Sequence, residues 1–511
     1  NQPGIDLILP DFSYIRDRLN DVVGIFLTHG HEDHIGAVPR LIKAIDKLPI
    51  YGSNFTLEIL KDALKEQDMD ESCCQFKEVD SSVKLRFDAL TVEFYRVTHS
   101  IPESLGIAIT TKDGVIVYAP DYNFDQNVDN IYKTEFTKLA EIAGKNVLAL
   151  LTESLGAERA GYTHSSTVLD HALEHAFSNA EGRIIVSAFS TDLLRIQKII
   201  DIALEHNRKI AIIGRKTQRT IDIAVTKGYL KIPAGYLIGL KFIDDNNKNE
   251  LKDAIVLVAG DRHEPFYMLQ RMVKKLDRLI HINQDDTIIL MTPPIPGTEK
   301  IAARTLDILY RNDANIVKIS KSELPPSHAS SEDIKLLINI LNPKFIVPVI
   351  GEYRHQYALR KVCTQLGYKD NKVIMLDNGQ VLELHNGDLV HTKNKVPSGE
   401  IFVDGILEGD VSDVVLRDRE LLSEDGVLLI IANIDARRRV ILSEPEIVSR
   451  GFVYMKENEE LIENVRNIFL ETSKKVFTGK YIDWRKYKDE VRDSVSKYLY
   501  REIKRRPIII P

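Results

Sequence analysis

One stretch, Thr28-His29-Gly30-His31-Glu32-Asp33-His34, constrains this chain more than any other. Three of its 14 histidines and one aspartate fall there within six consecutive positions. They follow an apolar run, Val22–Leu27, that reads as a buried strand. Neutral imidazole and carboxylate are the ligands that a borderline divalent ion such as zinc prefers. On a tight loop after a strand, H-x-H-x-D-H spacing lets His29 and His31 face one metal, and Asp33 and His34 face a second. Two such ions about 3.5–4 Å apart can share a hydroxide and clamp a phosphoryl or acyl centre.

The loop is the signature of the metallo-β-lactamase fold. Its flanks, Pro3-Gly4-Ile5-Asp6, Pro10-Asp11-Phe12-Ser13-Tyr14 and the run from Gly24 to Pro39, resemble the bacterial ribonuclease J family. The resemblance runs through nearly all of the chain. It implies an α/β protein: a metallo-β-lactamase αββα sandwich with an inserted β-CASP parallel α/β domain and a C-terminal α/β domain. The expected boundaries are 1–158 and 315–394 for the first domain, 159–314 for the insertion and 395–511 for a C-terminal domain of dimerisation type. An opening β-hairpin usual in the family precedes Pro3 and is absent here, which suggests a shortened chain.

At 511 residues the chain has room for two to four domains and a large core. A net charge of −7 does not mark a nucleic-acid binder, so an RNA site must be a local basic groove. Cys73, Cys74 and Cys363 form no disulfide framework and no paired metal spacing, which points to a reducing cytoplasm. No apolar run approaches the roughly 18 residues of a membrane span.

The chain supplies further site residues in order. His99 follows the strand Leu90–Val97, and Asp121 follows Val115–Tyr118. The resemblance makes His99 the next metal ligand and Asp121 the carboxylate that bridges two metals, although Pro120 replaces a family glycine. Glu153, at the end of the strand from Val147, takes the place of an aspartate that orients a metal-site histidine. Residues 160–315 alternate strands and helices: helix His164–Phe177 with Thr163 or Ser165 as N-cap, strand Arg183–Ser187, helix Asp192–Glu205, strand Lys209–Ile213, helix Thr217–Val225. Ser187, Ser190, Arg215 and Lys216 lie at strand C-terminal ends, where open α/β sheets bind ligands, and are candidate RNA-phosphate contacts. His328 and Ser330 match a family run that lies over the scissile phosphate.

The resemblance therefore assigns catalysis to Asp33 and His328, and metal binding to His29, His31, Asp33, His34, His99 and Asp121. It implies two zinc sites, with manganese as the alternative ion. Single-stranded RNA is the implied substrate, and the implied activity is 5′-to-3′ exonucleolytic and endonucleolytic cleavage in messenger RNA turnover and ribosomal RNA maturation. The implied partner is a second copy or a paralogue.

Three departures bear on that activity. Ile350, in Pro348-Val349-Ile350-Gly351-Glu352-Tyr353-Arg354, replaces the histidine that completes the second metal's ligands, so that site should bind more weakly. Pro326-Ser327 replaces a Ser-Gly before His328. Asp261 places an anion where a 5′ phosphate needs donors. These resemble the second, degenerate paralogue of bacteria that carry two, and suggest attenuated activity or a non-catalytic subunit that modulates an active partner.

Overall fold

A computed structural model describes residues 5, 7–44, 48–239, 253–278, 280–391, 393–404, 407–408, 413–452, 458–479 and 481–511. Pro3, Gly4 and Asp6 of the opening segment lie outside the described residues. The chain divides into two compact units, residues 12–397 and residues 1–11 with 398–511.

In the larger unit, one sheet has six strands in the order Phe345–Val349, Val147–Glu153, Gly114–Ala119, Leu105–Thr111, Leu90–Arg96, Lys84–Phe87. The first three run parallel and the rest antiparallel. A smaller parallel sheet joins Ile25–Phe26, Pro49–Gly52 and Gln75–Glu78. Phe94, Leu105 and Ile107 pack with Phe26 and Tyr51 between the two sheets. Helix Asn54–Glu66 covers the small sheet through Leu57, Leu60 and Leu64. Helices Phe136–Ala143, Ser331–Leu341 and Tyr353–Gln365 cover the outer face of the large one through Leu139, Leu337 and Leu359. These four layers are the expected αββα sandwich. The helices each bury one face, and both sheets are covered on two.

The inserted lobe is a five-stranded, all-parallel sheet ordered Ile210–Ile213, Ile255–Gly260, Ile184–Phe189, Thr287–Leu290, Asn315–Lys318. Its central strands are apolar without alternation because both faces are buried. Ile184, Ile185 and Val186 are fully buried, as is the whole run Ile255–Ala259. Helices Thr167–Ser178, Leu193–Glu205 and Arg215–Thr226 cover one face. Helices Glu264–Val273 and Glu299–Tyr310 cover the other.

Three expectations need correction. Asn315–Lys318 pairs with Thr287–Leu290, so the inserted sheet extends past 314 and this strand does not open the return to the first domain. Leu7–Pro10 pairs with Glu400–Asp404 and so belongs with the C-terminal unit, not with the first domain. The first insertion helix begins at Thr167, with neither Thr163 nor Ser165 as N-cap. The Thr163 hydroxyl donates instead to Asp333 at 2.5 Å.

In the C-terminal unit, strands Glu446–Arg450, Val427–Ile431 and Ile508–Ile510 form a sheet backed by helices Glu459–Val476 and Trp484–Ile503. Leu428, Ile430 and Ile509 meet Val465, Phe469, Tyr487 and Val491. The apolar tail is thus the third strand of its own sheet. Arg437–Arg439 lie on the turn between Ile434–Asp435 and Val440–Ile441. Among the described residues, no helix is long and apolar enough to cross a membrane.

The inserted sheet is clamped at its strand starts by a buried ion pair. Arg183 donates to both oxygens of Asp286, at 3.0 and 2.7 Å. Removing one partner leaves an uncompensated buried charge, so Asp286→Ala should cost about 3–5 kcal/mol in chemical denaturation. A variant within about 1 kcal/mol of the parent would contradict this burial argument.

Candidate metal centre

The site residues lie just past strand C-terminal ends on one edge of the six-stranded sheet. His99 follows Leu90–Arg96, Asp121 follows Gly114–Ala119, Glu153 ends Val147–Glu153, and Ile350 follows Phe345–Val349. The His29–His34 loop follows Ile25–Phe26, a shorter strand than expected, and closes with one helical turn, Glu32–Ile35. Ligand atoms of His29, His31, His99 and Asp121 all lie within 4.8 Å of one another, as do those of Asp33, His34 and Asp121. Asp121 is common to both groups. Its Oδ2 lies 3.4 Å from His29 Nε2, 3.1 Å from His34 Nε2 and 3.7 Å from His99 Nε2. Pro120 does not move this carboxylate out of the cluster.

The hydrogen bonds around the first group set its tautomers. His31 Nε2 donates to the Thr191 carbonyl at 2.8 Å, and His99 Nδ1 donates to the Ser327 carbonyl at 3.0 Å. A carbonyl only accepts, so the neutral rings carry their protons there. The remaining nitrogens, His31 Nδ1 and His99 Nε2, then point lone pairs at each other across 3.1 Å. His29 Nδ1 is bonded to the Thr28 hydroxyl at 3.1 Å, while His29 Nε2 and Asp121 Oδ1 are buried without a hydrogen-bond partner. Converging lone pairs and unpartnered buried acceptors fit a shared cation, and a nitrogen-rich set with one carboxylate suits zinc or a similar ion.

Burial lowers the affinity of all three rings for a proton. His29 falls to about 4, with His31 and His99 also below the ordinary value. They are therefore neutral ligands at neutral pH. Burial opposes ionisation of Asp121, but the adjacent His29 imidazole, the hydrogen bond with His34 and the neighbouring rings overcome it and hold the carboxyl below its usual range.

The second group is less complete. Asp33 is 77% exposed, with its Oδ2 3.7 Å from His34 Nε2. No imidazole comes from position 350. Ile350 sits at φ +50°, a left-handed conformation that is a genuine outlier for a β-branched residue. Its carbonyl accepts from the backbone N–H and the hydroxyl of Ser154. His355 does not substitute, because its Nδ1 accepts from the Glu352 N–H and caps helix Tyr353–Gln365.

Glu153 and His328 form a pair beside Asp121. His328 Nδ1 is 2.8 Å from Glu153 Oε2, and Glu153 Oε1 accepts from the N–H groups of Tyr122 and Ala329. Burial disfavours a charge on His328, but the Glu153 carboxylate outweighs it and raises the ring to about 9. Burial pushes the Glu153 carboxyl up, against the opposing pull of His328.

The proposed RNA contacts divide. Ser187 is fully buried and bonded to the Thr292 hydroxyl, so it cannot reach a ligand; a strand end beneath a covered sheet is core. Ser330 is buried at the N-cap of helix Ser331–Leu341, with its N–H on Asp333 at 2.9 Å. Ser190 donates its hydroxyl to Asp261, and Lys216 reaches Asp261 at 2.9 Å and Glu32 at 3.2 Å. The Arg215 side chain lies outside the described residues. Sequence reasoning missed Thr191, whose contribution is a backbone carbonyl and leaves no sequence signal. It also missed Asn123 and Arg195, whose only hint is that Arg195 stands three residues after a helix-capping aspartate.

A sandwich of this kind, with a histidine-rich cluster at the sheet edge and a parallel α/β lobe inserted beside it, defines a metal-dependent hydrolase of the metallo-β-lactamase class. Family models match in the same order: a Beta-lactamase superfamily domain over residues 2–140, a Ribonuclease J beta-CASP domain over 181–309, a Zn-dependent metallo-hydrolase RNA specificity domain over 327–375 and a Ribonuclease J C-terminal domain over 414–511. The chain is 36% identical to Ribonuclease J 2 of Staphylococcus aureus (strain NCTC 8325 / PS 47) over 508 residues, 99% of this chain and 90% of that protein. Ribonuclease J 2 of Staphylococcus epidermidis (strain RP62A) matches with the same figures. A crystal structure of a protein of unknown function from Enterococcus faecalis V583 aligns over 72% of this chain and 80% of its own, with 15% identity and a TM-score of 0.47. The chain belongs to the ribonuclease J family.

Two outcomes follow from this geometry. Ile350→Asn, which tolerates the left-handed region better, should stabilise the fold by about 1 kcal/mol, and an unchanged denaturation midpoint would contradict the strain. In metal-free protein, the raised His328 stabilises the fold fully below pH 6.5, and that stabilisation is lost as pH rises through about 9. NMR of the ring should show this titration, and Glu153→Gln should bring it down to the ordinary value or below. A ring that titrates unchanged in the variant would rule out Glu153 as the cause.

Proposed function

We propose that this chain hydrolyses RNA phosphodiester bonds at an attenuated rate, in a metal-dependent reaction. The observation that carries the reading is the converging set His29, His31, His99 and Asp121 beside His328 paired with Glu153, in a chain of this family. Those four residues would hold one ion, and Asp33 and His34 would contribute with Asp121 to a weaker second. Zinc is the expected ion, with manganese as the alternative. A bound divalent ion supplies Lewis acidity and a water that ionises near neutrality.

The chain's own residues do the rest. Asp33, exposed at the edge of the cluster, accepts a proton from the attacking water and orients it. His328, 32% exposed and holding a proton against Glu153, faces the phosphate and gives that proton to the departing oxygen. Single-stranded RNA is the substrate, cut 5′-to-3′ and internally, in messenger RNA turnover and ribosomal RNA maturation. The location is cytoplasmic, where Cys73, Cys74 and Cys363 remain free thiols. The assembly is a homodimer or a complex with a paralogue.

A second reading has specific support. Ile350 removes a ligand, and Asp261 occupies both Ser190 and Lys216, the groups that would meet a phosphate. On this reading the chain is mainly a subunit that modulates an active relative.

Degradation of 5′-labelled single-stranded RNA with manganese or zinc separates the two. Slow cleavage is expected, falling by about 10²–10⁴-fold in His328→Ala and likewise in Asp33→Ala. Equal traces in wild type and Asp33→Ala would sink the nuclease reading in favour of the subunit. Because Asp261 neutralises the phosphate contacts, 5′-monophosphate and 5′-triphosphate RNA should react at similar rates. A large preference for the monophosphate would contradict that role of Asp261.

A further inference from the structure

Four consecutive carbonyls, at Pro325, Pro326, Ser327 and His328, are each taken by a side-chain donor from a different place. Arg195 Nη2 donates to Pro325 at 2.7 Å, and Asn123 Nδ2 donates to Pro326 at 3.0 Å. His99 Nδ1 donates to Ser327 at 3.0 Å, and Arg159 Nη2 donates to His328 at 2.5 Å. Pro325 and Pro326 have fixed φ and no N–H, so neither can donate a turn bond to this segment. These four donors, with Glu153 holding the His328 ring and the Ala329 N–H, fix the segment and the Ser327 carbonyl that meets His99.

Asn123 and His99 belong to the first lobe, and Arg159 stands at the boundary between it and the insertion. Arg195 comes from the inserted lobe, at the start of helix Leu193–Glu205. Its side chain is mostly buried, and its Nε pairs with Asp192 Oδ2 at 2.9 Å, which aims the guanidinium at the loop. The same short stretch touches the centre twice more. The Thr191 carbonyl takes the His31 proton, and the Leu194 N–H donates to the carbonyl of Ser100, next to His99. Both of these are backbone groups, so Arg195 is the one side chain through which the inserted lobe holds the centre at this stretch.

We propose that Arg195 is a positioning residue, through which the inserted lobe sets the geometry of His328 and of the His99 ligand. The proposal rests on the reading that this cluster binds metal and that His328 serves the reaction. Under it the inserted lobe is part of the working centre and not only a wall for RNA.

The test is zinc affinity of the whole chain, measured by competition with a chromophoric chelator, alongside thermal melting. Loss of a group that orients a ligand histidine weakens metal binding about 10–100-fold, and Arg195 acts one bond further out, so Arg195→Ala should weaken zinc by about 3–10-fold. Arg195→Lys keeps the charge on Asp192 and the helix start but loses the fork, and should show the same loss if the alanine variant folds poorly. Lys198→Ala, in the same helix and paired with Asp170, should bind zinc as the parent does. A cleft bordered by Asp192, Arg195, Pro325 and Pro326 adjoins the space that Arg195→Ala vacates, so methylguanidinium added to that variant should fill it and restore affinity. Where RNA cleavage is measurable, kcat should fall with KM for RNA unchanged. Parental zinc affinity in folded Arg195→Ala or Arg195→Lys overturns the proposal, as does an equal loss in Lys198→Ala. A parent that binds zinc but cuts no RNA would defeat the nuclease reading and still leave the affinity comparison to decide on Arg195.

Discussion

The centre depends on one electrostatic conflict. His31 and His99 turn unprotonated nitrogens toward each other at 3.1 Å because two carbonyls hold their protons on the far side. Protonating either nitrogen would place an imidazolium in a buried site, and burial already drives both rings away from charge. A divalent ion resolves the conflict, and Asp121 supplies the negative charge to balance it. Strand ends at one sheet edge bring these groups together, and carbonyls from the His328 loop and the inserted lobe aim them.

The two halves of the centre are not equivalent. The first has three imidazoles and a shared carboxylate, each ring braced by a bond on its far nitrogen. The second has His34, the exposed Asp33 and a share of Asp121. At position 350 the backbone still takes a left-handed turn pinned by Ser154, yet it carries a hydrocarbon side chain. The conformation costs about 1–2 kcal/mol and presents a side chain that cannot ligate a metal. The inserted lobe shows the same pattern, with Asp261 answering Ser190 and Lys216 internally.

Much of this was legible in the sequence where chemistry is local. The H-x-H-x-D-H loop carries its ligands within one turn of chain, and the all-apolar strands of the insertion announce a sheet buried on both faces. His99, Asp121 and Glu153 were legible only through family resemblance, because a lone residue after a strand has no pattern of its own. Ser187 misled, since a polar residue at a strand's end reads alike whether it faces solvent or lies in a core, and Ser330, matched through the family run, is buried at a helix N-cap. The strand Asn315–Lys318 was assigned to the wrong sheet because four residues do not specify which parallel neighbour they join. Thr191 left no signal and Arg195 only its place after a capping aspartate: their partners lie 160 and 130 residues away, and in both bonds one side is a backbone carbonyl.

The central claim is a centre with one complete metal site and one impaired site. It is tested most directly by counting zinc ions bound per chain as free zinc is raised, using equilibrium dialysis of the metal-free protein with elemental analysis. The account predicts one ion bound tightly and a second only at free zinc at least tenfold higher, the least that loss of an imidazole ligand should cost. Two ions bound with equal affinity would show that Ile350 costs the centre nothing. No tight ion at all would show that the converging histidines are held together without a metal, and the account would fall.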